Sequence, residues 1–402
     1  MNIATEKTSL NILMLAPEFP PGGGIGTRSY ASARNLSADG HRLTILVRMS
    51  NSDLEEQENS EFNVVNISCL NGLNINNPFS FIFMVIAYSV YGLFYARRHR
   101  IDLCYATIAH IGIAALVIRK IWRIPYVLAV HGMEVAGPTS IGRKWMKPVL
   151  ANASACIVLA DRQRRSLKVL GVEDRKIVTI PEGIDSEKFY PKKKCLSIIE
   201  RHHLSGKKVI LTVGRLVTRK GHDKVIEAMP AVAARIPDAV YLIVGTGPEE
   251  RKLKNLAISK KVQDRVIFTG YVPEALLVDY YSVSDVFIMP SREIGMDIEG
   301  FGLVFLEANA CGKPVIGGDS GGVSDAVADG VSGILVDPES AVAVEKAITK
   351  LLTDSNFAQK LGRQGRERVE KEFSGEVIQQ KIRTMLKDIG VVIPAGRENT
   401  GR

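Results

Sequence analysis

Val209-Ile210-Leu211-Thr212-Val213 runs into Gly214-Arg215-Leu216, and Lys220-Gly221 then leads into an amphipathic stretch. A short apolar and β-branched run, closed by glycine and followed by residues of helical period, marks a strand buried on both faces and its crossover helix. The same unit recurs on both sides. Downstream, strand-length runs stand at 240–244, 266–269, 286–289, 315–317 and 334–336; upstream, they stand at 12–16, 43–47, 64–69, 103–107, 126–130, 155–159 and 176–180. Helical-period stretches separate most of them, so the chain reads as an α/β protein with two doubly wound, Rossmann-like parallel sheets. The loop at 181–194 parts the two series. This predicts a first domain over 1–190, a second over 191–375, and a C-terminal helix and tail over 376–402 that packs back on the first, with residues from 391 frayed.

A length of 402 residues suits two domains of that kind, and 46% apolar with 24% charged residues argues against a disordered, collagenous or coiled-coil chain. Five scattered cysteines without a C-x-x-C pair suit a reducing cytosol. The apolar run at 12–16 is too short for a signal-peptide core and reads as the first strand. The net charge of +9 is concentrated: fifteen basic and five acidic side chains lie from Arg97 to Lys176. Such a patch could face phosphates, anionic lipid or nucleic acid. Beside it, 79–96 is nearly all apolar and ends in Arg97-Arg98-His99-Arg100. With Ser80, Ser89 and Gly92 inside it, this segment is marginal as a membrane span. Two readings stand: a helix packed within the domain, or an interfacial helix with a basic stop.

Several strand ends carry chemistry. Pro20-Pro21-Gly22-Gly23-Gly24-Ile25-Gly26 follows the first strand, where glycines let backbone approach a ligand and a helix N-terminus offers amides to an anion. A dinucleotide fingerprint fails here. Ser29 stands where its third glycine belongs, prolines intervene, and Arg48 replaces the ribose-binding acid. His131-Gly132 ends the run at 126–130, on the side of the sheet that faces the ligand crevice. Pro181-Glu182-Gly183-Ile184-Asp185 closes another strand at the junction. Arg215 and Lys220, on a loop that leads to a helix, are placed to neutralise a diphosphate. Glu299 and Glu307 stand eight apart; on a continuous helix they would be separated by about 12 Å of rise, near the reach from sugar to ribose of a nucleotide. Phe301, Gly302 and Leu303 lie between them at the helix mouth. The glycine-rich turn 317–322 ends a further strand and suits backbone contact with phosphate. No Asp-x-Asp occurs, so a metal-bridged diphosphate has no support in the sequence.

In this order the motifs resemble the retaining nucleotide-sugar glycosyltransferases of GT-B fold, family 4, also called glycosyl transferases group 1. The likeness covers about residues 10–375; within the group, 287–300 is similar to phosphatidylinositol-mannoside mannosyltransferases. Glu182 and Asp325 depart from the family pattern, which has Asn and Glu there in many members. The resemblance implies two domains facing across a cleft, with donor held mainly by the second. Arg215 and Lys220 would hold the donor diphosphate, Glu299 the transferred sugar, Glu307 the ribose and Val272 the base through its backbone. Phe301, Gly302 and Leu303 complete the donor set. Gly23 and Gly24 would approach donor phosphate or acceptor from the first domain, and His131 the sugar, with domain closure bringing His131 to Glu299.

The expected function is therefore retaining, metal-independent hexosyl transfer without a cofactor, from GDP-mannose first and a UDP-hexose second. The acceptor would be a lipid or glycan, at the cytoplasmic face of a membrane whose anionic surface meets the basic patch; nucleic acid is not expected. A sugar-nucleotide epimerase or phosphorylase on the same architecture, and a non-enzymatic membrane-binding protein, are the alternatives.

Overall fold

The computed structural model describes residues 9–19, 24–49, 61–73, 77–131, 140–295 and 297–391. A seven-stranded sheet comprises β1 Asn11–Ala16, β2 Arg42–Val47, β3 Asn63–Asn66, β4 Leu103–Ala106, β5 Tyr126–Val130, β6 Ala155–Val158 and β7 Ile177–Thr179, in the order β3-β2-β1-β4-β5-β6-β7. A six-stranded sheet comprises β8 Lys208–Val213, β9 Ala239–Val244, β10 Val266–Gly270, β11 Val286–Met289, β12 Val315–Gly318 and β13 Gly333–Val336, in the order β10-β9-β8-β11-β12-β13. Neighbouring strands pair in parallel throughout. Strand order reverses between β1 and β4 and between β8 and β11, and loops leaving the carboxyl ends there form the crevice of such sheets.

Six helices position the sites: α1 Gly24–Ala38, α2 Pro78–Arg98, α3 Gly112–Trp122, α4 His222–Arg235, α5 Leu303–Ala310 and α6 Gly375–Asp388. The two-residue period of a strand sends β1 side chains to both faces. Leu13 and Leu15 pack with Tyr88 of α2 and Ile118 of α3, whereas Ile12, Met14 and Ala16 pack with Leu36 of α1 and Leu386 of α6. Gly92 permits the close approach of α2 to α3, since a Cβ there would lie 2.7 Å from Ile118 Cδ1. The apolar run at 64–69 stops being strand at Asn66, whose side chain binds both the amide and the carbonyl of Met49 and fixes the end of the pairing. A 3-10 turn over Ser68–Leu70 follows.

By its contacts the chain forms one unit of Met1–Ile180 with Ile378–Arg402 and another of Pro181–Val377. The division falls about ten residues before the expected 190 because the intervening segment is bound to the second unit. Ile184 N donates to Phe373 O at 2.8 Å, the Phe189 ring meets Tyr281 at 6.0 Å, and Lys188 pairs with Glu274. In the first unit, Ile378, Ile382, Met385 and Leu386 of α6 are buried in the same core as β1, and Arg383 pairs with Asp39 at 2.6 Å. The tail expected to fray lies, beyond Val391, outside the described residues. Leu386→Ala, which would empty a fully buried position, is expected to cost the first unit about 2–4 kcal/mol. Chemical denaturation followed by circular dichroism checks this; an unchanged midpoint would show that α6 does not hold the unit together.

Candidate functional site

At the switch point of the second sheet, the loop leaving β8 rests on the loop leaving β11. Gly221 makes this possible: its φ is +75°, and a Cβ would lie 2.1 Å from Pro290 O. Arg292 N donates to Arg219 O at 2.8 Å, and the Arg292 guanidinium binds both carboxylate oxygens of Asp223, at 3.0 and 2.8 Å. The β11 loop is thereby fastened to the first turn of α4.

Between these loops lies a compact charge cluster. Lys220 Nζ and Arg219 Nη1 each donate to Glu299 Oε2 at 2.5 Å, and Arg219 Nε reaches Asp297 Oδ1 at 2.9 Å. Burial of Glu299 would raise its pKa, but Lys220 and Arg219 outweigh it and hold the carboxyl below its usual range. Burial pulls the Lys220 amine down, with Glu299 opposing and Arg219 adding to the shift. Arg215 differs from both: its side chain is exposed and makes no ion pair or hydrogen bond among the described residues. Its carbonyl meets His222 Nε2 at 3.2 Å, which fixes the backbone from which the guanidinium projects.

Glu299 lies outside the helix, which begins only at Leu303. The separation from Glu307 therefore contains about 6 Å of helical rise rather than 12 Å, the rest coming from the irregular 299–302 segment. Gly302 caps α5 at φ +92°, with a would-be Cβ only 2.7 Å from the Phe305 ring. Phe305 N donates to Gly302 O at 3.0 Å, so the amides of Leu303 and Val304 are the ones at the α5 terminus with no backbone acceptor among the described residues, and they form a positive helix end beside the cluster. Phe301 turns its ring inward, 1% exposed and 5.9 Å from Phe373, leaving only its backbone for a ligand. Glu307 is buried, accepts a hydrogen bond from Tyr281 Oη at 2.6 Å, and is pushed up to about 7 by desolvation against that bond. Val272, past the end of β10, has neither its amide nor its carbonyl paired among the described residues. The turn at 317–322 does not present a row of free amides: Gly321 and Gly322 bring it against the 299–300 backbone, with Gly322 N bonded to Glu299 O.

In the first unit, His131 stands at the end of β5, with Nε2 2.8 Å from Thr107 O and Nδ1 3.2 Å from Arg28 Nη1. These partners fit a neutral ring donating to the carbonyl through Nε2. Burial, reinforced by the Arg28 cation, pushes its pKa down to about 4. With both nitrogens engaged, the ring as it stands is a positioned dipole rather than a poised base. Gly24 is the first residue of α1, while Gly23 and Gly132 lie outside the described residues. Arg219 and Asp297 were the participants that sequence motifs passed over; the signal available was a second cation beside Lys220 and a second acid two residues before Glu299. Tyr281 carried no signal, being one of two adjacent tyrosines on a buried helical face. Among the described residues no three His, Cys, Asp or Glu side chains converge as metal ligands, and Asp297 and Glu299 are engaged by cations.

Known proteins share the two-sheet fold of this chain. The model described as Glycosyltransferase Family 4 matches residues 22–188, and that of Glycosyl transferases group 1 matches 197–368. The chain is 39% identical over 244 residues to a GDP-mannose-dependent alpha-(1-6)-phosphatidylinositol monomannoside mannosyltransferase of Mycolicibacterium smegmatis, covering 60% of this chain and 64% of that protein. A monoacylated-substrate counterpart from Corynebacterium glutamicum is 32% identical over 267 residues, covering 65% and 69%. The chain thus spans less than two thirds of the length of the first of these relatives. Among solved structures, Anabaena HepE in complex with UDP superposes with a TM-score of 0.79 at 20% identity, covering 94% of this chain and 100% of that one. Sucrose-phosphate synthase from Thermosynechococcus elongatus gives 0.76 at 23%, covering 95% and 99%.

Glu307 yields a pH test. Its carboxyl binds a proton more tightly in the folded chain, so the stability this lends is complete below about 4.5 and is lost as pH rises through about 7. Glu307→Gln removes that dependence. The melting temperature of the variant is expected to gain on the wild type as pH rises from 4.5 to above 7; parallel curves would place the Glu307 pKa at its ordinary value.

Proposed function

The chain belongs to the family 4, group 1 glycosyltransferases of GT-B fold, and we propose that it transfers a hexose, with anomeric retention, from a nucleoside diphosphate sugar. The observation that carries this reading is the set of cations at the second switch point: an unpaired, exposed Arg215 and a Lys220 shared with Arg219 on Glu299. As the bond from the anomeric carbon to phosphate breaks, its electron pair stays with the diphosphate. Arg215, Lys220 and the amide end of α5 are the groups able to stabilise that charge. Arg219 would keep Glu299 ionised when Lys220 turns to phosphate, leaving the carboxylate to bind sugar hydroxyls. Glu307 would take the ribose, Val272 the base, and His131 with Gly23 and Gly24 would serve the sugar or acceptor from the first unit. For retention, the acceptor oxygen must attack on the face the diphosphate leaves, and its proton can pass to the departing phosphate oxygen. No divalent metal is required in this scheme.

GDP-mannose is the proposed donor, because the relatives at 39% and 32% identity are GDP-mannose-dependent mannosyltransferases by name. A lipid-linked or polysaccharide acceptor, met at the cytoplasmic face of a membrane, completes the proposal. Arg215→Ala and Lys220→Ala are each expected to lower kcat/KM at least about 100-fold, the scale of losing one preorganised charge-stabilising donor, with circular dichroism unchanged. Radiolabelled GDP-mannose transfer to a mannolipid extract measures it. Full activity in either variant, or conversion of the donor to an epimer without acceptor, would overturn the assignment.

A further inference from the structure

Helix α2 carries an apolar face that is exposed among the described residues. Phe79, Ile82, Phe83, Ile86, Val90 and Phe94 are 45–82% exposed and follow the three- and four-residue spacing of a single helical face. From Phe79 to Phe94 that face runs about 22 Å. The opposite side is fixed: Met84, Ala87, Tyr88 and Ala96 are buried in the first sheet's core. The helix also lies between β3 and β4 of one sheet, so it cannot turn to cross a bilayer without emptying that core.

Charge is arranged around one end of this face. Arg97, Arg98 and Arg100 are exposed at the end of α2; exposed Lys120, Ile121, Trp122 and Arg123 follow at the end of α3. The Arg97 guanidinium lies 5.9 Å from the Trp122 ring centroid and that of Arg98 5.9 Å from the Phe94 ring, joining the cations to the apolar surface. From residue 62 to residue 133 the chain has one acidic side chain, Asp102, and its carboxylate accepts the Asn11 amide at 2.8 Å. An anionic partner is required to balance such a rim. A second copy meeting it through the same face would bring the same cations, with Asp102 the one acid from 62 to 133.

We propose that the exposed face of α2 lies flat in the headgroup layer of an anionic bilayer, with Arg97, Arg98, Lys120 and Arg123 on the lipid phosphates and Trp122 at the interface. This matches an in-plane amphipathic anchor, in which buried apolar area and attraction to anionic lipid act together. It deepens the membrane side of the proposed function and uses none of the donor residues.

Cosedimentation tests it on the full chain, with vesicles of phosphatidylcholine containing about 30% phosphatidylglycerol, enough to set up an anionic surface potential, against vesicles of phosphatidylcholine alone. The wild type is expected to bind the anionic vesicles at least about tenfold better and to be released by high salt. Arg97→Gln with Arg98→Gln should cost about 30-fold on anionic vesicles. Phe83→Ser with Ile86→Ser and Val90→Ser should lose binding to both, with near-UV circular dichroism unchanged because all three side chains are on the surface. Wild-type protein that stays in the supernatant, or variants that bind as it does, would overturn the proposal. So would a lipid-free dimer in analytical ultracentrifugation that the serine variant abolishes. A chain that binds vesicles yet takes no nucleotide sugar would overturn the transferase reading and leave this one standing; turnover of soluble donor without vesicle binding would do the reverse.

Discussion

One carboxylate oxygen, Glu299 Oε2, receives both the Lys220 amine and the Arg219 guanidinium at 2.5 Å, and the switch point of the second sheet is organised around that contact. A buried carboxylate with one cation would be neutralised by losing it; with two, it survives the departure of either. The proposed binding of a diphosphate draws on that redundancy. In that proposal Lys220 turns to phosphate while Arg219, tied also to Asp297, remains on Glu299. Arg215 stands ready without a partner to give up.

The cluster depends in turn on how closely backbones approach. The β8 and β11 loops meet only because Gly221 has no Cβ to strike Pro290 O, and the 317–322 turn closes on the Glu299 segment only because Gly321 and Gly322 have none. These glycines serve the geometry of the carboxylate, which is why the turn that looked suited to phosphate in sequence spends Gly322 N on Glu299 O instead. Among the described residues the amides left without an acceptor are those of Leu303 and Val304 at the start of α5. In the first unit the equivalent switch point gathers His131 and Arg28, from the ends of β5 and the start of α1, with Thr107 from the end of β4. Burial, with the Arg28 cation, keeps that ring neutral.

Much of the fold was legible in sequence because strands of a parallel sheet are covered on both faces and read as unbroken apolar runs; 209–213 and 126–130 sit within a residue of their observed strands. The run at 64–69 misled because a side chain, Asn66, rather than apolarity ended the strand. The junction near 180 was blurred because residues 181–190 bind the second unit through contacts almost two hundred residues apart, Ile184 with Phe373 among them. At the site, Arg215, Lys220, Glu299 and Glu307 were visible as residue types at strand ends. Their pairing was not, since spacing cannot say that Lys220 lies on Glu299 or that Tyr281 holds Glu307. The apolar segment at 79–96 was ambiguous for a similar reason. Composition left two readings open; the structure puts one face of the helix in the core and leaves the other exposed.

Calorimetry of nucleotide binding with a chelator present addresses the account at its centre, because it isolates the diphosphate from sugar, acceptor and membrane. If Arg215 and Lys220 receive the two phosphates, GDP should bind about 100-fold more tightly than GMP without any divalent ion, as two charge-assisted contacts at about 1.5–3 kcal/mol each allow. Equal affinities for GDP and GMP, or binding that appears only when a divalent metal is restored, would contradict it.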